Sequence, residues 1–197
     1  MKSDDRVRNV LQEVEAFGQS NDARQTDRSR RMLNLERATA ELIQVLVFSS
    51  RRKRVLEIGT SSGYSAIWLG ATLREIPGAQ HLITIERDAD KVRQARANIE
   101  KAGLSEIVDV HEGSATEIVA VLPGPFDCVF FDADRLSAPE QLRLLLPKLE
   151  YDVLLLADNI LSHPQEVASY LNEFERLPEF VTAAVTVGKG LHVAYRG

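Results

Sequence analysis

The sequence predicts an α/β fold, doubly wound around a mostly parallel sheet. Three observations carry this. From residue 54 onward, short apolar runs alternate with helical patterns, the rhythm of β–α units. Several of those runs, Val153-Leu154-Leu155-Leu156 among them, are apolar at consecutive positions, which suits strands covered on both faces. The chain closes on two strand-like runs separated by Gly188-Lys189-Gly190, an antiparallel hairpin in which Gly190 is free to take a left-handed backbone.

Taken in order, Val7, Val10, Leu11, Val14 and Phe17 form one helical stripe and predict an amphipathic helix over 4–17, ended by Gly18-Gln19-Ser20-Asn21-Asp22. Residues 24–31 read as a solvated, charged connection in which Arg24, Arg28, Arg30 and Arg31 are balanced by Asp22 and Asp27. A second helix is expected over 35–48, with Ala38, Leu42, Val45 and Leu46 on its apolar side. Strands are expected at 54–57, 81–86, 107–111, 126–131 and 152–157, with helices at 62–73, 88–102, 115–121 and 139–146. A helix over 164–175 precedes the closing strands at 180–187 and 191–195. Without an internal repeat, low-complexity tract or linker, residues 1–197 read as one domain. It comprises an N-terminal helical and charged extension (1–31) and a core (32–197).

The 197 residues are 44% hydrophobic and 27% charged, enough for one well-buried core. A formal net charge of -5 argues against a generally nucleic-acid-binding surface. The single Cys128 excludes an internal disulfide, fits a reducing compartment, and reads as a buried thiol. Asp4 and Asp5 stand where a signal peptide would need an apolar core, and no apolar run approaches the ~20 residues of a membrane span. The expectation is a cytoplasmic protein with neither a nucleic-acid nor a membrane partner.

The strand Arg54-Val55-Leu56-Glu57 runs through Ile58-Gly59-Thr60-Ser61-Ser62-Gly63 into the helix that begins near Tyr64. Glycines let a ligand approach main-chain atoms, Ser61 or Ser62 is placed to cap the helix, and ligands of open α/β sheets bind at such strand ends. The spacing is G-x-x-x-G, whereas the dinucleotide fingerprint G-x-G-x-x-G places a glycine where this chain has Ser61. That argues against a nicotinamide dehydrogenase. Glu57 sharpens the point, because a carboxylate is a poor neighbour for pyrophosphate and a good one for an ammonium. S-adenosylmethionine carries an α-ammonium and a sulfonium, and no phosphate. Glu86, ending the next strand, is placed to accept ribose hydroxyls, as acids do there in several nucleoside-binding folds. Ser61, Gly63 and Tyr64 are expected to face the cofactor, and Trp68, one turn further on, the core.

These residues resemble class I S-adenosylmethionine-dependent O-methyltransferases, in particular the cation-dependent branch of catechol and caffeoyl-CoA O-methyltransferases. The resemblance covers about residues 30 to 197. Its marks are Val55-Leu56-Glu57-Ile58-Gly59-Thr60 with Gly63-Tyr64-Ser65; Glu86; Gly113-Ser114-Ala115; Phe131-Asp132-Ala133-Asp134; Asp158-Asn159; and Gly188-Lys189-Gly190-Leu191. It implies a Rossmann-like sheet of seven strands with an antiparallel last strand. It also implies that Glu57 and Ser65 hold the methionine part, Gly59 admits the cofactor to the backbone, Glu86 binds ribose, and Ser114 and Ala115 border adenine. Leu33, Asn34 and Leu35 look like the family segment that closes over the cofactor. Related enzymes are commonly homodimers, and the stripe of the first helix is a candidate interface.

Asp132, Asp158 and Asn159 follow two neighbouring strands on the same edge as the glycine loop. Two carboxylates and an amide oxygen are hard ligands suited to Mg²⁺, which would draw in an acceptor hydroxyl and lower its pKa. Asp or Asn after a strand also serves simply as a turn or cap. The family carries a lysine where this chain has Arg135, and arginine stays protonated, so it cannot take the acceptor's proton. Asp132 and Arg135 are the candidate catalytic residues, Asp132 being expected to contact the cofactor as well, with three outcomes open. The metal alone acidifies the hydroxyl, Arg135 binds an anionic substrate, or the chemistry departs from the family's. Asp134 is read as structural, and His163 as a loop histidine within reach of a base's role. The functional expectation is methyl transfer to a hydroxyl of a small, catechol-like molecule with metal assistance. The alternatives are a metal-independent methyltransferase and a non-catalytic S-adenosylmethionine-binding protein.

Overall fold

A computed structural model describes residues 4–197; the first three residues of the expected N-terminal extension lie outside the described residues. Seven strands form one sheet in the order β3-β2-β1-β4-β5-β7-β6. They are β1 (Val55–Ile58), β2 (Leu82–Glu86), β3 (Val108–Glu112), β4 (Phe126–Phe131), β5 (Leu149–Ala157), β6 (Val181–Val185) and β7 (Leu191–Arg196). The first five are parallel, and β7 runs antiparallel between β5 and β6. The chain order reverses between β1 and β4, so the edge beyond their carboxyl ends is the fold's natural ligand crevice.

The helices are α1 (Asp5–Arg24), α2 (Arg37–Ser49), α3 (Tyr64–Arg74), α4 (Ala89–Lys101), α5 (Ala115–Val121), α6 (Ala138–Leu145) and α7 (Pro164–Glu173). They divide the apolar interior into two layers. Val7, Val10, Leu11 and Val14 of α1 pack with α2, α3 and α4 on one face of the sheet. Leu142, Leu145, Tyr170 and Phe174 cover the other. Consecutive burial of Val153 through Ala157 follows from this double cover. Among the described residues no helix is long and apolar enough to cross a membrane.

Three expectations are corrected here. The first helix does not stop at Gly18 but runs to Arg24, because a side chain at Gly18 would overlap the Asn34 amide that packs on this turn. Most of the apolar stripe of α1, expected to be available to a second copy, is buried in this chain's own core: Val7, Val10, Leu11 and Val14 pack inward, and Phe17 stays 45% exposed. On α2 the buried side is Thr39, Ala40, Ile43 and Val47, while Val45 is 60% exposed. Apolar residues occur all round this helix, so periodicity alone did not select the face.

Candidate active site

The loop after β1 is built by three close approaches. Gly59 has φ of +110°, and a Cβ there would overlap the carbonyl oxygen of Asp132, whose amide donates to Ile58 O at 2.8 Å. The glycine therefore allows β1 and β4 to bring their ends together, beyond any approach by a ligand. Gly63, not a serine, caps α3, packed against Ala95. The two serines look the other way. Ser61 Oγ donates to Met32 O, and Ser62 Oγ donates to Asn34 Oδ1 at 2.7 Å. They hold the 31–36 segment over the loop like a strap. Asp22 ties the far side of that strap to α1, accepting from the amides of Met32 (2.6 Å) and Leu33 (2.8 Å).

Glu57 is fully buried at the end of β1. Its Oε2 accepts from Thr84 Oγ1 at 2.5 Å, and its Oε1 has no hydrogen-bond partner. Burial pushes this carboxyl up to about 7, against the opposing influence of the Ser65 and Thr84 hydroxyls. A buried, unpartnered carboxylate oxygen at a sheet's ligand edge is a receptor for a cation. Glu86 is a different kind of acid. Its Oε1 accepts from the amides of Arg87 and Asp88, and its Oε2 from Ser61 N at 2.9 Å. It braces the loop, and Oε2 keeps the spare acceptor capacity.

Leu33 is 43% exposed on the strap, with φ of +51°. Leu35, in contrast, is a core residue. Tyr64 also departs from expectation. Its ring is buried in the core, with its hydroxyl 3.5 Å from Glu15 of α1, because the first turn of α3 rotates it away from the strand ends. Trp68 is half-buried against the same core. Ser114 is exposed at the start of α5, and Ala115 packs beneath it.

Two strands away, Asn159 joins the acids. Its Nδ2 donates to Asp132 Oδ1 at 3.1 Å and to Asp158 Oδ2 at 2.9 Å. Asp158 is buried, and its Oδ1 has no partner. Burial first, and the charge of Glu36 after it, push the Asp158 carboxyl up to about 6; the backbone amide of Asn159 and the charges of Lys189 and Arg135 oppose this. Asp132 is raised well above the usual carboxylate range by burial, then by the Asp158 and Glu57 charges. Asn159 itself has φ of +70°, a conformation that asparagine tolerates better than most residues. A half-turn of its amide would present Oδ1 to both acids as a third oxygen ligand. Among the described residues, no group of three or more His, Cys, Asp or Glu side chains is spaced to hold a metal. The donor set is two carboxylates and one amide.

Arg135 does not face this cluster freely. Its guanidinium is paired with Glu166 of α7 at 2.7 Å. Asp134 accepts from Ser137 Oγ and Leu136 N and so shapes the turn. His163 precedes α7 with Ser162 Oγ 2.8 Å from Nδ1 and Arg28 Nη2 3.4 Å from Nε2. Burial and then the Arg135 charge hold it below its ordinary range. Arg28, though exposed, thus lies against the loop that leads into α7. Sequence reasoning missed Asp22, Thr84 and Glu36, which are common surface residue types until the fold assigns them partners.

A family of proteins described as a methyltransferase domain matches residues 56–160, just over half of the chain. The chain belongs to that family. Over 125 residues it is 35% identical to a catechol O-methyltransferase of Niastella koreensis, covering 61% of this chain and 55% of that enzyme; the chain thus spans about half of that relative's length. An O-methyltransferase from Bacillus cereus, solved in complex with S-adenosylhomocysteine, superposes with a TM-score of 0.77 at 25% identity, covering 96% of this chain and 91% of that one. The S-adenosylmethionine complex of a Streptomyces achromogenes O-methyltransferase involved in tomaymycin synthesis gives 0.77 at 26% identity, covering 100% and 92%. The matched stretch runs from the glycine loop to Asn159 and so contains both halves of the site.

Proposed function

We propose that this chain is a cytoplasmic, S-adenosylmethionine-dependent O-methyltransferase that methylates a hydroxyl of a small, catechol-like acceptor with the help of a divalent cation. One observation carries the metal. Asp132 and Asp158 are bridged by Asn159, both carboxyls are raised by burial first and by neighbouring acids after it, and Asp158 Oδ1 is buried without a partner. This is a site short of positive charge.

The residues divide the work. Glu57 Oε1 receives the methionine ammonium, Glu86 Oε2 accepts from ribose, and the strap at Leu33 excludes water above the loop. Asp132, Asp158 and Asn159 would hold the cation and orient the acceptor. When bound, a divalent cation supplies a Lewis acid that lowers the hydroxyl's pKa. The hydroxyl proton leaves to water and the oxygen lone pair forms the O–CH₃ bond. The S–CH₃ bond breaks with its electrons remaining on sulfur, giving the neutral thioether. Holding the oxygen in line is the main catalytic task.

The test is methyl transfer to a catechol and phenol panel, followed by mass spectrometry. The expected outcome is loss of product in chelator and recovery with Mg²⁺. Turnover that ignores chelator would favour a second reading, supported by the Asn159 amide already bridging both acids. In that reading the cluster binds the acceptor's polar groups directly. Tight cofactor binding without product across the panel would leave a non-catalytic binder.

A further inference from the structure

Arginine at position 135 leaves open which cation meets the acceptor oxygen, and the fold brings a different one to the cluster. The turn between β6 and β7 places Lys189 between Gly188 (φ +52°) and Gly190 (φ +90°), closed by Gly190 N donating to Val187 O at 2.8 Å. Three backbone hydrogen bonds splice this turn to the residues just after Asn159. Lys189 O accepts from Leu161 N (3.0 Å) and Ser162 N (3.2 Å), and Gly190 O accepts from Ile160 N (3.1 Å). From this anchored backbone, Nζ reaches Glu36 Oε1 at 2.8 Å. Glu36 is the last residue of the strap and directly precedes α2. The ammonium thus lies between the acceptor-side loop and the strap.

The Glu36 side of this pair is incompletely satisfied. Glu36 Oε2 and the adjoining Thr39 Oγ1 are buried without a hydrogen-bond partner, both packed against Gly188. Arg135 is paired with Glu166 and Lys189 with Glu36; the Lys189 charge bears on both Asp132 and Asp158, that of Arg135 on Asp158.

We propose that Lys189 is the cation that meets the acceptor's ionised hydroxyl, held by Glu36 until the acceptor arrives. This rests on the function proposed above and adds a residue to it. Lys189 takes no part in proton transfer. It donates a hydrogen bond to the oxygen, whose proton has left to water, before and after the methyl group moves.

The probe is 4-nitrocatechol, whose absorbance shifts to longer wavelength on ionisation. It is titrated into the full chain with S-adenosylhomocysteine and Mg²⁺. Wild type is expected to bind it with the red-shifted spectrum. Lys189→Gln should bind at least tenfold more weakly with a smaller shift, and Lys189→Arg should recover most of both. Glu36→Gln frees the ammonium and should bind at least as tightly as wild type. A Lys189→Gln protein within twofold of wild type overturns the proposal while leaving the proposed function standing. So does a Glu36→Gln protein as weak as Lys189→Gln, which would make the pair a structural strap. A wild type that shows no Mg²⁺-dependent spectrum overturns the proposed function and this proposal with it. S-adenosylhomocysteine affinity reports folding in each variant. If Lys189→Gln loses that affinity, Glu36→Gln decides: tighter binding supports the proposal and weaker binding overturns it.

Discussion

The two ends of the ligand edge are built on opposite electrostatic plans. Beyond β1 and β2, the acids are almost fully engaged. Glu86 accepts three backbone amides, Glu57 has one hydroxyl partner, and one oxygen, Glu57 Oε1, is left over. Beyond β4 and β5, Asp132 and Asp158 share a single amide group and are both raised by burial and by neighbouring charge. The first half is preorganised for one cationic group. The second gathers two buried carboxyls, offset by the Lys189 charge and, at Asp158, by that of Arg135. A site that transfers a methyl group from a fixed donor to a variable acceptor needs this asymmetry, because the donor's shape is constant and the acceptor must be activated.

The largest break in the comparison should come from the second half. Asp132→Asn or Asp158→Asn should lower turnover about 1000-fold, the equivalent of roughly 4 kcal/mol of metal-derived stabilisation. S-adenosylhomocysteine affinity, measured by calorimetry, should stay near wild type, because the Asp132 and Asp158 carboxylates hydrogen-bond to Asn159 and not to the glycine loop. Equal loss of cofactor affinity would merge the two halves into one unit.

Glu57→Gln should do the reverse, weakening S-adenosylmethionine binding about 100-fold, as expected for a charge-assisted hydrogen bond worth roughly 2–3 kcal/mol. It should also stabilise the ligand-free fold at high pH. The Glu57 carboxyl is raised from 4.5 to about 7 on folding. Its contribution is therefore fully present below pH 4.5 and lost as pH rises to 7, by up to about 3 kcal/mol. Thermal melts should show the variant's advantage growing across that window and levelling above it. An advantage that is flat with pH would mean that Glu57 is not buried alone.

Smaller effects sharpen the picture. Ser62→Ala removes one tie between the loop and the strap and should raise the cofactor KM a few-fold, in keeping with about 1 kcal/mol for one hydrogen bond. An unchanged KM would show that Ser61 and Asp22 suffice to hold the strap. Arg135→Gln should change kcat by less than about threefold, since a half-exposed ion pair such as that with Glu166 is worth about 1 kcal/mol or less. A loss approaching that of Asp132→Asn would return Arg135 to the chemistry.

Much of this was legible in the linear chain. Consecutive apolar runs placed the strands and period-3.6 patterns most helices, because each element's burial is written locally along the sequence. Glu57, Glu86, Asp132, Asp158 and Asn159 were legible as strand-end polar residues, because a parallel sheet sends every such end to one edge. The failures share a cause. Tyr64 and Leu35 have side chains that suit either a core or a ligand wall, and only the rotation of the first turn of α3 and the docking of α2 chose the core. Gly18 signals a break in isolation, yet packs beneath Asn34 within a continuous helix.

The sequence by itself determined the strand order's raw material, the glycine loop and the acids that flank it, since these depend on neighbours within a few residues. Tertiary structure alone decided which charges meet. It gave Arg135 to Glu166 and Lys189 to Glu36 across separations of 31 and 153 residues. Coulomb energy depends on distance in space, and no local pattern encodes it.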